Sequence, residues 1–274
     1  RAGGLLRPCP RMPSWERGAA GTYLAALPLL LFTAGADIAS LNLGTLAYSN
    51  LLGKGPDVHA PPAMRFHNAT RVGSRMLDLL VMVGDDEYTP FNASENGNSG
   101  PERQVGSVNF QQGTRVHLLF RFVDTGTTNR AKAGRFYFTI LLRDELEQVQ
   151  VLRARGRCLP QGSAVRNREV APGLQAFGLG PRGGSDGTTA PERDRAAVTL
   201  SFEDVVEFPV SVTSVGAVQR AGLCFSFTGL PVEGCRHLLD PTSEPATATT
   251  SSTTSGTSTT TRTTTRAGRA AAAT

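Results

Sequence analysis

Short runs in which apolar and polar residues alternate fill the middle of this chain, and they constrain its fold more than any other feature. In Leu77–Val83 every odd position is apolar. Val116, Leu118, Phe120 and Phe122 share one face of a run, opposed by His117, Leu119 and Arg121. Phe136, Phe138, Ile140 and Leu142 repeat the pattern, as do Val198–Phe202, Phe208–Val212 and Leu223–Phe227. Period-two alternation bounded by Gly, Asp, Asn and Pro clusters predicts half-buried antiparallel strands, roughly eight or nine of them. No amphipathic helix separates them. The expected fold is therefore all-β, an antiparallel sandwich of jelly-roll type rather than a parallel sheet.

The flanks differ in composition. From Met12 a short polar stretch with Arg17 leads into the apolar run Tyr23–Phe32 and then Ala34-Gly35-Ala36. Those parts, in that order, predict a helical secretory signal over 12–36. The apolar run is about half the ~20 residues that span a bilayer. Residue 1 is Arg, so residues 1–11 are expected to precede the true start. Residues 37–241 then form the β-sandwich domain. Residues 242–274 are Ser/Thr-rich with almost no apolar bulk, which predicts a disordered, O-glycosylated stalk. Membrane or GPI anchorage after residue 274 is left open. The expected location is secreted or cell-surface.

The net charge is +5, yet only Lys54 and Lys132 are lysines, and the arginines are scattered. A basic stripe with interleaved aromatics is missing, so nucleic acid is not an expected partner. Of the four cysteines, Cys9 precedes the expected mature start. In an oxidising compartment Cys224 and Cys235, flanking a short loop, are the expected bridge, with Cys158–Cys224 as the competing pair. Cys158 is then left for a disulfide-linked oligomer.

Two long polar loops, 84–105 and 179–194, are candidates for function. In the first, Asp85, Asp86 and Glu87 offer the hard oxygen ligands that calcium takes, although the spacing matches no EF-hand. Asn68-Ala69-Thr70 and Asn92-Ala93-Ser94 are N-glycosylation sequons. The four histidines have no metal-ligand spacing. No GxSxG elbow or phosphate-cradling Gly loop is present, and no carboxylate pair can be assigned to glycoside hydrolysis.

YSNLLGKGPD (48–57), PPAMRFHNAT (61–70), DLLVMVGDDEYTPFNASENG (78–97), NFQQGTRVHLLFRFVDTGT (109–127) and GRFYFTI (134–140) together resemble a secreted β-sandwich module of microalgae, dinoflagellates especially. SDGTTAPERDRAAVTLSF (185–202) is a looser match. After the F-Y-F-T strand the module continues into an acidic F-D-x-D step, where this chain has Leu142 and keeps only Asp144. The resemblance implies a fold and a location, not a chemistry.

The reading that follows is an extracellular recognition or structural module, with polysaccharide or glycoprotein as the expected partner. Tyr88, Asn92, Asn96 and Asp124 are the expected ligand contacts, by analogy with sandwich lectins. A self-associating wall or scale glycoprotein is one alternative. A secreted hydrolase with unassigned carboxylates is the other.

Overall fold

A computed structural model of the chain describes residues 39–84, 87–99, 103–143, 145, 147–180, 196–214 and 222–236. The signal segment, the Thr-rich tract, Asp85, Asp86 and most of the 179–194 loop lie outside the described residues.

Fourteen strands are present among the described residues, in two antiparallel sheets. They are β1 (Leu46–Ser49), β2 (Met64–Val72), β3 (Arg75–Val83), β4 (Gly97–Ser99), β5 (Val105–Gln111), β6 (Arg115–Asp124) and β7 (Phe136–Leu141). There follow β8 (Glu147–Leu152), β9 (Gly156–Cys158), β10 (Val165–Ala171), β11 (Leu174–Leu179), β12 (Ala197–Phe202), β13 (Glu207–Ser214) and β14 (Gly222–Thr228). The large sheet runs β1-β2-β3-β6-β13-β8-β11-β10, and the small sheet β4-β5-β14-β7-β12-β9. The alternating runs of the sequence form β3, β6, β7, β12, β13 and β14. The additional strands are mostly short or polar, and their alternation is too brief to stand out.

Period two places Leu77, Leu79 and Val81 of β3, Val116, Leu118, Phe120 and Phe122 of β6, and Phe208, Val210 and Val212 of β13 on one inward face, all buried. From the small sheet Phe136, Phe138, Ile140, Val198, Leu200, Phe202, Phe225 and Phe227 meet them. A cluster of phenylalanines occupies the centre. The Phe202 and Phe208 rings stack with centroids 4.4 Å apart, and Phe120 meets Phe227 edge-on at 5.0 Å. Such pairs add about 0.5–1.5 kcal/mol each beyond the area they bury.

The cysteine pairing differs from expectation. Cys235 is bonded to Cys158 rather than Cys224, the two standing 77 positions apart in sequence. The residues after β14 fold back across the small sheet toward its edge strand β9, which brings Cys235 to Cys158. Short loop spacing carries no information about such a return. Cys158 is therefore not available for a disulfide-linked oligomer. No described cysteine is a free thiol, Cys224 included.

Candidate functional site

Of the four residues expected to contact a ligand, Tyr88, Asn92 and Asn96 come together around Asn109, and Asp124 does not join them. Tyr88 and Asn96 are buried, and Asn92 is exposed nearby, whereas Asp124 lies at the end of β6 in the large sheet. The Tyr88 hydroxyl donates to the Asn109 carbonyl at 2.9 Å and accepts from Asn96 Nδ2 at 2.7 Å. Asn109 N–H donates to Asn96 Oδ1 at 2.7 Å, and Asn92 N–H donates to Asn109 Oδ1 at 2.6 Å. Burial pushes the Tyr88 phenol up to about 12, against the opposing effect of the Asn96 hydrogen bond. Tyr88 and Asn96 thus staple residues 88–99 onto β5 and have no surface left for a ligand. Asp124 is held by Arg75, whose Nε donates to it at 3.1 Å.

The same stapling accounts for the NLLGKGPD segment. Asn50 is buried, donates to the Ala60 carbonyl at 2.6 Å and accepts from Gly55 N–H at 3.1 Å. A Cβ on Gly55 would stand 2.2 Å from the Ser49 carbonyl oxygen, so only glycine fits. Lys54 reaches the Tyr88 carbonyl at 2.6 Å, joining this turn to the 88–99 segment.

Together these contacts cover the outer face of the small sheet. Its outward side chains include a buried polar row (Ser107, Asn109, Thr139, Thr199, Ser201, Ser226), and beside it Val105, Leu141 and Ala197 pack under Val232 and Cys235. Ser107 Oγ donates to the Glu95 carbonyl at 3.1 Å, and Phe91 lies so close to Gly222 that a Cβ there would be 2.5 Å from its ring. Over β7 and β12 the segment after β14 takes the same role. Thr139 Oγ1 donates to the Leu230 carbonyl at 2.7 Å, Val232 N–H donates to Thr199 Oγ1 at 3.1 Å, and Tyr137 bonds the Arg236 carbonyl.

On the outer face of the large sheet two arginine side chains, Arg65 and Arg121, remain partly exposed. Arg65, Leu80 and Arg121 stand in register on the neighbouring strands β2, β3 and β6. Strand spacing puts the two guanidinium stems roughly 10 Å apart. Between and beside them lies a shallow groove of about 290 Å³, lined by Tyr48, Pro61, Pro62, Leu80 and Met82, with Thr128 at its rim. Arg121 Nε donates to Glu207 at 2.7 Å. Arg65 Nε donates to Asp78 Oδ2 at 2.7 Å, and its Nη2 to the Thr127 carbonyl at 2.8 Å. Each guanidinium is thereby clamped on one side, at 13% and 20% side-chain exposure, and keeps further N–H donors.

Asp78 is the buried anchor of this face, and sequence reasoning missed it. Its carboxylate is fully buried and accepts from Asn68 N–H at 2.8 Å, Thr125 Oγ1 at 2.8 Å and Gly126 N–H at 3.3 Å as well as from Arg65. His67 Nδ1 lies 3.3 Å from it. Burial alone would push this carboxyl up; the hydrogen bonds from Asn68, Thr125, Arg65 and Gly126 outweigh it and hold the group below its ordinary value. The signal in the sequence was a lone acid inside the apolar run Leu77–Val83.

Of the expected calcium ligands, only Glu87 lies among the described residues, where it is exposed. No group of three His, Cys, Asp or Glu side chains among the described residues is placed to hold a metal ion.

No protein-family model matches the chain, and no curated protein matches it in sequence. Among solved structures it is similar to the N-terminal domain of the Streptococcus gordonii adhesin Sgo0707, with a TM-score of 0.40, 10% identity, and coverage of 72% of this chain and 64% of that one. It is also similar to the adhesin domain of PrgB from Enterococcus faecalis bound to DNA, with a TM-score of 0.34, 12% identity, and coverage of 61% and 66%. The chain spans less than two thirds of the length of either. At this distance the likeness is one of β architecture alone.

Proposed function

We propose that this domain is an extracellular recognition module that holds polysaccharide in the groove on the outer face of its large sheet. The observation that carries the reading is the contrast in cover. Two described segments close the outer face of the small sheet, whereas among the described residues Arg65 and Arg121 of the large sheet stay partly exposed beside the groove. A shallow apolar floor suits the C–H face of a sugar ring, and clamped guanidinium groups supply oriented donors for its hydroxyl or carboxyl oxygens. Clamping lowers the ordering cost that binding would otherwise carry. The signal-like segment, the Thr-rich tract, the two sequons and the likeness to a secreted microalgal module support the extracellular location.

Affinity electrophoresis of the purified chain through gels containing a neutral glucan, a uronic-acid polymer or a sulfated galactan tests the reading. The expected result is retardation by at least one polymer. Tyr48→Ala and Arg121→Ala should each reduce that retardation about tenfold or more, while leaving the melting temperature nearly in place. A chain that migrates freely through all three would end the proposal.

A further inference from the structure

We infer that Asn92 receives an N-linked glycan and that Asn68, the other sequon asparagine, serves the fold instead. The inference rests on the extracellular reading above and concerns a different part of the surface. Asn92 and Ser94 are both exposed, at the start of a short 3-10 turn, Ala93–Glu95. Asn92 Oδ1 accepts from Ser94 Oγ at 2.7 Å and from Ser94 N–H at 3.3 Å, so the amide and the hydroxyl of the sequon meet at the surface. Asn92 Nδ2 donates to Glu95 Oε1 at 3.0 Å.

Transfer of a glycan from a lipid-pyrophosphate donor breaks the bond from sugar C1 to the pyrophosphate oxygen and forms C1–Nδ2. The lipid pyrophosphate leaves with the electron pair, and Nδ2 gives up one of its two protons. The second proton remains for Glu95, so the turn survives modification with its hydrogen bonds intact.

Asn68 stands in another environment. It lies at φ +51° in a bulge where β2 slips against β3, and its backbone N–H is given to the buried Asp78. Its Oδ1 accepts from Thr125 Oγ1 at 3.3 Å. The sequon hydroxyl, on Thr70, is only 3% exposed, with its oxygen sealed inside the sheet. A glycan at Asn68 would have to sit against the Asp78–Thr125 contacts that anchor Arg65. One at Asn92 rises from the segment covering the small sheet, on the side of the sandwich away from the groove. Removing it should leave polysaccharide retardation unchanged.

The test expresses the full chain behind a heterologous secretory leader in eukaryotic cells and maps peptides after peptide N-glycanase, which converts each occupied Asn to Asp. Conversion is expected at residue 92 and not at residue 68. Asn92→Gln and Ser94→Ala should each abolish the enzyme-sensitive gel shift, while Ser94→Thr retains it. Mapping of the unsubstituted chain settles the assignment even where Asn68→Gln does not fold. Occupancy at residue 68, or exported protein unmodified at residue 92, overturns it. A parallel arm carries only the chain's own residues 12–36 as leader. Retention in the cytosol there would count against the extracellular reading, while glycan on Asn92 in the first arm would still uphold the site.

Discussion

On the small sheet, the outward Ser107, Asn109, Thr139, Thr199 and Ser226 are polar and buried; on the large sheet, Tyr48, Leu80 and Met82 line a groove beside two partly exposed arginines. Both sets arise from strands of the same alternating kind. What separates them, among the described residues, is that two segments return across the small sheet, while on the large sheet only Pro61, Pro62 and Thr128 flank the groove. Polar side chains on a sheet are therefore no guide to solvent here, because the covering segments supply partners for them. Around the groove, apolar side chains are framed by two clamped arginines that keep N–H donors, and that combination is what the proposal of a binding face rests on.

Four substitutions would break or sharpen this contrast. The largest effect belongs to the cover. Cys158→Ser frees the segment over β7 and β12, and opening a 77-residue loop costs about 4 kcal/mol by chain entropy, read as a drop in denaturation midpoint. Next is the anchor beside the groove. Asp78→Asn removes the charge that Arg65 faces in a buried site and should cost about 3 kcal/mol. It should also flatten the acid limb of stability. The folded-state carboxyl titrates below 3.8, so its contribution is complete above that value and is lost as pH falls through the lowered one. Denaturation midpoints that fall with acid in the same way for the wild-type chain and the Asp78→Asn variant would refute that role.

Third, Tyr88→Phe strands Asn96 Nδ2 and should cost about 2 kcal/mol without altering polysaccharide retardation. Loss of binding with stability unchanged would restore Tyr88 as a ligand contact. The smallest stability effect is expected in the groove. Arg121→Ala removes one partly exposed ion pair with Glu207, about 0.5 kcal/mol, yet should remove most of the retardation.

The inward face is legible in the sequence because its signal is local. Leu77, Leu79 and Val81, or Phe136 and Phe138, announce their side of the sheet within a few residues. The candidate site is not, because cover is set by segments distant in sequence. Tyr88 and Asn96 have the residue types of a sugar contact, and nothing local says that β5 lies beneath them. Asp78 escapes notice for the same reason: its partners come from β2 and from the turn at Thr125–Gly126. The spacing of Cys224 and Cys235 misleads similarly, since the segment after β14 travels to β9 before it is fixed.

The Cys158–Cys235 bond also decides how the domain would carry tension. A pull on the chain beyond Arg236 arrives at Cys235 and crosses the sulfur–sulfur bond directly to Cys158. Strands β10 to β14 lie within the loop that the bond closes, and some 77 residues, on the order of 250 Å of extended chain, cannot be drawn out between the two cysteines. Until that bond is reduced, the domain behaves as a short tether with much of its slack locked away.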